Sequence, residues 1–356
     1  PGGRQVVGAA DRIAGGVALE CGHSDHRVRR QGRYYTEMSD SSETGTIPSA
    51  DALTRIAGLI RRTPLMRSES LNRRTGLDLV FKCEHLQRTG SFKFRGASFA
   101  VSRLTTGHGV ATHSSGNHGA ALAAAAAARG LSADIVMPSN AVSAKVEAVR
   151  AYGGRVHFCQ PDQASREQGL AELVEAGRIA IPPYDHDDII IGQGTVAVEV
   201  LSQDSRLDDL IAPIGGGGLL SGMALAAARQ APKVRVIGAE PEQADDAARS
   251  LVAGRRVSDH RPDTIADGLR ALIGHRNFSI LHGRGIEILT VSEAEIVDAM
   301  AMIWQHLKQA VEPSAAVPLA AILRHRERFE QRRIGVVLTG GNMAFQDLLS
   351  QLETRS

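Results

Sequence analysis

Three turns built from glycine and small polar residues constrain this chain most: Ser114-Ser115-Gly116-Asn117-His118-Gly119, Gly215-Gly216-Gly217-Gly218 and Thr339-Gly340-Gly341. Each follows a short apolar stretch that reads as a strand: Gly109–His113, Asp208–Ile214 and Ile334–Thr339. In open α/β sheets, ligands bind beyond the carboxyl ends of the strands. Three such turns therefore predict one site assembled from several loops. Further strands are expected at Leu77–Lys82, Ala133–Met137, Arg155–Cys159 and Lys233–Ala239. Helices are expected from Asp51 as a cap through Ile60, and over Ala120–Arg129, Ala144–Tyr152, Leu219–Arg229, Glu293–Ala310 and Pro318–His325. Strands alternating with helices of this length predict an α/β fold with parallel sheets.

The composition suits such a fold and narrows its partners. Of 356 residues, 43% are hydrophobic and 22% charged, an ordinary globular balance that leaves room for a sizeable core. A formal charge of +2, with bases scattered among acids, predicts no nucleic-acid partner. The longest apolar run, Ala120–Ala128, falls far short of the ~20 residues that span a bilayer, so no membrane partner is expected. Three scattered cysteines, Cys21, Cys83 and Cys159, argue against a disulfide framework and for a cytoplasmic setting. Residues 1–49 carry glycine pairs, a basic run at 27–33 and no sustained apolar period, which reads as a disordered extension.

Each motif has a functional and a bland reading. Four glycines between strand and helix let backbone N–H groups face an anion at a helix N-terminus; a plain turn needs only one or two. No Gly-Lys-Ser/Thr follows, and the spacing departs from the dinucleotide fingerprint, so the phosphate expected there is not a nucleotide's. Ser114, Ser115, Asn117 and His118 exceed what a helix cap requires and can meet a carboxylate. In Ser91-Phe92-Lys93-Phe94-Arg95-Gly96, desolvation can free Lys93 as an amine nucleophile; a snorkelling lysine is the plainer reading. Glu240-Pro241-Glu242-Gln243-Ala244-Asp245-Asp246 reads first as a solvated acidic loop and second as a hard-cation site. Thr264–Gly268 and Glu312-Pro313-Ser314 read as turns or caps, and the histidines lack metal-ligand spacing.

Taken in order, R-T-P-L (62–65), S-F-K-F-R-G-A (91–97), T-H-S-S-G-N-H-G (112–119), P-Y-D-H-D-D-I-I-I-G-Q-G-T (183–195), G-G-G-G (215–218), A-E-P-E-Q-A-D-D (239–246), T-I-A-D-G-L (264–269), V-E-P-S (311–314) and T-G-G-N (339–342) resemble the fold-type-II pyridoxal-phosphate (PLP) enzymes of the threonine/serine dehydratase and serine racemase family. The resemblance implies a two-domain, tryptophan-synthase-β-like architecture. A small mobile domain (109–186) would close over a large PLP-binding domain (50–108 and 187–356).

It also implies roles. Lys93 would carry PLP as a Schiff base and shuttle the α-proton. Gly215, Gly216, Gly217, Gly218 and Leu219 would hold the phosphate, Phe92 would lie along the ring, Asn117 would touch the ring hydroxyl, and Thr339 would face the pyridine nitrogen. Ser114, Ser115, Asn117 and His118 would bind the substrate carboxylate. Ser115 would be a second acid/base opposite Lys93. Glu240, the Ala244 carbonyl and Asp246 would hold Mg²⁺ or another divalent cation. Arg166 resembles an arginine of the racemases, Thr339 stands where many relatives carry Ser, and a homodimer is the usual assembly. The expected activity is an L-threonine/L-serine ammonia-lyase. The alternatives are a serine or aspartate racemase, or a dehydratase for 3-hydroxyaspartate or a hydroxyectoine-derived amino acid.

Overall fold

A computed structural model describes residues 47–344 and 346, apart from 106, 115 and 142. Of the expected extension, 1–46 lie outside the described residues, whereas Pro48 is buried against Gly194, where any Cβ would strike the proline ring. The first helix, α1 (Ala50–Ile56), is capped by Ser49 rather than the expected Asp51, because the Ser49 hydroxyl accepts from the Ala52 N–H at 3.3 Å.

In chain order there follow β1 (Leu65–Met66), α2 (Glu69–Thr75), β2 (Asp78–Cys83), α3 (Lys93–Arg103), β3 (Val110–His113), α4 (Asn117–Ala127), β4 (Ala133–Pro138), α5 (Ser143–Ala151), β5 (Arg155–Cys159), α6 (Gln163–Glu175) and β6 (Ile179–Ala180). The remainder comprises α7 (Asp187–Gln203), β7 (Asp209–Pro213), α8 (Gly218–Gln230), β8 (Arg235–Pro241), α9 (Asp246–Ala253), α10 (His275–Gly283), β9 (Glu287–Val291), α11 (Glu293–Met302), α12 (Pro313–Arg324) and β10 (Arg333–Leu338).

The strands form two sheets. One has the order β1-β2-β10-β7-β8-β9, the other β5-β4-β3-β6. Every pairing is parallel except the short edge strand β1 against β2. Helix-covered parallel strands read as continuous apolar runs, and β10 (R-I-G-V-V-L) is buried after its first residue. The four-stranded sheet draws only on residues 110–180, and the six-stranded sheet on 65–83 and 209–338.

Two helices set the interior. α4 is almost all alanine, the best helix former, and its small side chains let it lie buried along most of its length. α7 is buried from Ile189 to Leu201, with Gly192 and Gly194 permitting close approach to α3 and α8. Thus β3–α4, β7–α8 and the end of β10 each deliver a turn to the carboxyl ends of their sheets.

Candidate active site

Lys93 is the first residue of α3, and the turn before it is fastened to the end of β10: the Phe92 N–H donates to the Thr339 carbonyl at 3.0 Å. Two residues on, fully buried Arg95 grips both oxygens of Glu84 (2.7 and 2.8 Å) and both of Glu199 (3.0 and 3.3 Å), and Lys82 completes the group by donating to Glu199. Two cations and two carboxylates neutralise each other there; removing one member would leave an uncompensated buried charge. This network ties the first turn of α3 to β2 and α7. Lys93 is therefore held from behind, and its Nζ reaches the Pro183 carbonyl at 2.9 Å, lying 5.1 Å from the Phe92 ring centroid. Desolvation lowers its ammonium to about 8 against the pull of the Glu312 carboxylate. Unlike a snorkelling lysine, Lys93 is half-buried with its ammonium on a backbone carbonyl.

The tetraglycine turn lies at the N-terminus of α8. Gly217 is left-handed (φ 93°). A Cβ on Gly216 would sit 2.2 Å from the Tyr184 ring, and one on Gly218 would lie 2.7 Å from Gln193 Oε1. The Gly216 carbonyl is drawn outward by Asn277 Nδ2 (2.7 Å) and the Gly274 N–H (3.0 Å). The N–H groups of the first turn, Leu219 included, have no partner within the helix, and the helix dipole lies behind them.

The turn before α4 uses its polar atoms differently. The Ser114 hydroxyl oxygen accepts from the N–H groups of Gly116 (3.3 Å) and Gly119 (3.1 Å), so it caps the helix and keeps only its O–H for a ligand. His118 is buried, and desolvation with nearby Lys93 brings it down to about 3, so its ring is neutral. Its Nε2 donates to the Ile181 carbonyl at 3.0 Å, which leaves Nδ1 as a bare acceptor. The imidazole expected at the substrate carboxylate thus offers it no donor, which leaves the Ser114 O–H and the backbone of the turn. Ser115 lies outside the described residues.

Asn117 leads to a residue that sequence reading missed. Its Nδ2 donates to both oxygens of Glu312 (2.9 and 3.1 Å), and its Oδ1 accepts from Asn342 Nδ2 (2.8 Å). Glu312 is buried, and desolvation raises its carboxyl to about 7 despite the Asn117 bonds. The sequence V-E-P-S reads as a helix start, which it is, since Glu312 precedes Pro313 at the first position of α12. Its depth beside Asn117 comes from the fold, and the one available signal was its place among the family motifs.

A family model described as pyridoxal-phosphate dependent enzyme matches residues 56–340. The chain belongs to the pyridoxal-phosphate dependent enzyme family. It is 48% identical over 298 residues to the β-hydroxyaspartate dehydratase of Paracoccus denitrificans, covering 83% of this chain and 95% of that one. It is 46% identical to the serine racemase of Arabidopsis thaliana, covering 82% and 91%. The structure of maize serine racemase superposes with a TM-score of 0.82 at 41% identity, covering 86% and 95%. The fold is that of the fold-type-II members, as the resemblance implied.

The residues present fit this family's cofactor. A turn closed to side chains at Gly216 and Gly218 leaves N–H groups for a phosphate, and a desolvated amine stands ready for an aldehyde.

The expected cation residues also come together in this PLP enzyme. Glu240 ends β8 nearly fully buried; its Oε1 accepts from the Ala248 N–H at 2.6 Å while Oε2 has no partner. Asp246 accepts from the Ile273 N–H at 2.8 Å and lies 3.5 Å from His260. Burial pushes both carboxyls above their ordinary range. Ala244 lies between them in a short 3₁₀ turn. Among the described residues, no group of three or more His, Cys, Asp or Glu side chains could hold a metal, so a cation there would need the carbonyl and water.

Proposed function

We propose that this chain is an ammonia-lyase for a small β-hydroxy amino acid, with 3-hydroxyaspartate ahead of L-threonine and L-serine. The observation that carries the reading is the Lys93 amine, lowered to about 8 and held at the Pro183 carbonyl in front of a glycine cradle. When bound, pyridoxal phosphate supplies the electron sink that acidifies the substrate Cα–H. The N–H groups of Gly216–Leu219 hold its phosphate. Phe92 would line the ring, and Thr339 would present a hydroxyl to the pyridine nitrogen. Glu312 fixes the Asn117 amide toward the ring hydroxyl. The turn at Ser114–His118 receives the α-carboxylate. Lys93 removes the Cα proton, the β-hydroxyl leaves as water, and the released enamine hydrolyses to a 2-oxo acid and ammonia. Glu240, the Ala244 carbonyl and Asp246 hold a divalent cation that steadies the loop leading to Asp267. Residues 109–186 close over the site and exclude water.

A cation over the α4 turn and a second on α6 support an acidic substrate. Lys145 lies over Gly116, and Arg166 on α6 has a buried Nε with no hydrogen-bond partner. The side chains of threonine and serine have no charge to meet them. The name of the Paracoccus relative points the same way. The racemase reading is favoured by the Arabidopsis relative and by Ser115 in the sequence. One assay separates them: purified protein with PLP and Mg²⁺ is given 3-hydroxyaspartate, L-threonine and L-serine separately. Fastest 2-oxo acid formation from 3-hydroxyaspartate is expected. D-serine in excess of 2-oxo acid would replace the lyase with a racemase.

A further inference from the structure

Lys145 on α5 and Asp267, which opens the short turn Asp267–Leu269, are far apart in the chain and belong to different sheets' surroundings, yet their side chains meet as an ion pair. The pair crosses the turn before α4. The three heavy atoms nearest to where a Gly116 Cβ would sit are Lys145 Cδ, Nζ and Cε, at 3.5, 3.6 and 3.8 Å. Beneath it lie Asn117 and Glu312, and the Glu312 carboxyl senses both partners: Asp267 raises it and Lys145 lowers it. The Gly268 N–H donates to Ser314 Oγ at 3.1 Å, which fixes the turn bearing Asp267 to the start of α12. The pair is therefore placed by the fold and borders the space in front of the α4 N-terminus.

Its solvent contact matters as much as its place. The Lys145 and Asp267 side chains are 20% and 40% exposed, whereas the Arg95–Glu84 pair behind Lys93 is fully buried. A solvated ion pair contributes little, so exchanging one carboxylate for another at that ammonium costs little.

We propose that Lys145 receives the distal carboxylate of a four-carbon dicarboxylic substrate, and that Asp267 holds the ammonium over the site until that carboxylate replaces it. An α-carboxylate at the N-terminus of α4 sits directly beneath Lys145, and the second carboxylate of a four-carbon diacid lies two carbons from the first. Threonine or serine offers nothing to displace Asp267, so Lys145 sets substrate specificity without touching the reacting bonds. The inference deepens the lyase reading and rests on it for the identity of the substrate.

The test uses the PLP-loaded enzyme and succinate, an unreactive four-carbon diacid, with propionate as the single-carboxylate control. Binding is followed by titration calorimetry, alongside kcat/KM for 3-hydroxyaspartate and L-serine. Lys145→Met is expected to weaken succinate at least tenfold, roughly 1.4 kcal/mol, and to leave propionate within about twofold. It should raise KM for 3-hydroxyaspartate far more than for L-serine, with the visible PLP absorbance unchanged. Asp267→Asn should tighten succinate. The proposal is overturned if wild-type enzyme does not distinguish succinate from propionate, if Lys145→Met weakens both alike or neither, or if Arg166→Met alone abolishes the distinction. Should no amino acid be turned over while succinate still depends on Lys145, the lyase reading falls and the diacid site stands.

Discussion

Two helix N-termini face the same space and are built in opposite ways. Ahead of α8, packing leaves no room at Gly216 or Gly218 for a side chain, and the Gly216 carbonyl is tied outward by Asn277 and Gly274. Ahead of α4, the Ser114 oxygen caps its own helix, His118 is neutral and turned to Ile181, and a solvated ion pair lies above Gly116. The first shape is held by close packing, and in the proposed function it seats one phosphate in one place. The second is held by hydrogen bonds and charges that a ligand can exchange. A fold carrying many reactions on one cofactor needs that division: an invariant seat for the phosphate and an adjustable one for the substrate.

The largest test of the contrast is steric. Gly216→Ala places a methyl 2.2 Å from the Tyr184 ring, at its base, which turning the ring about the Cβ–Cγ bond does not move. PLP affinity should fall by about 100-fold, roughly 2.7 kcal/mol, measured by equilibrium dialysis. Tyr184→Ala in the same chain should restore part of it. If Gly216→Ala retains PLP normally, the seat is not held by packing.

The next test is electrostatic. Within the fold Glu312 keeps its proton to about 7, while the unfolded chain releases it near 4.5. The unfolded state therefore binds fewer protons between those values, so stability falls with rising pH. This contribution is fully present below about 4.5 and is lost as pH rises through about 7; it is on the order of 3 kcal/mol at ~1.4 kcal/mol per pH unit. The Glu312→Gln apoprotein should have a flatter profile of urea midpoint over that range than wild type. Equal slopes would mean that Glu312 ionises normally.

The smallest effect concerns the cation. Mg²⁺ should raise the Tm of wild type by a few degrees and leave Glu240→Gln unmoved, because a ligand bound only by the folded state stabilises by mass action. An equal shift in both would remove Glu240 from the site.

Much of this was legible in the sequence where the relevant physics is local. The glycine run, the strand-to-helix turns and the nine ordered motifs predicted the α/β fold and the candidate residues. α7 was readable only as a motif, because a helix apolar on every side has no amphipathic stripe to reveal its period. The long helix expected over Glu293–Ala310 stops at Met302, passes through a π-helical turn at Ile303–Leu307 and ends at Lys308 in a left-handed conformation. The helical pattern there does not announce the break. Glu312 was missed for another reason: its bonds to Asn117 span 195 positions, and E-P-S alone is a helix start. Likewise, Lys145 does not stand out locally and Asp267 does so only within T-I-A-D-G-L, and their meaning lies in the meeting.

The most direct test of the account is the visible absorption spectrum of wild type and Lys93→Ala, each purified with PLP and dialysed. Wild type should retain a visible band from cofactor bound to the lysine, and Lys93→Ala should lose it while keeping the wild-type far-UV circular dichroism. A folded Lys93→Ala protein that keeps the same band would show that another amine carries the cofactor and would contradict the assignment of the site.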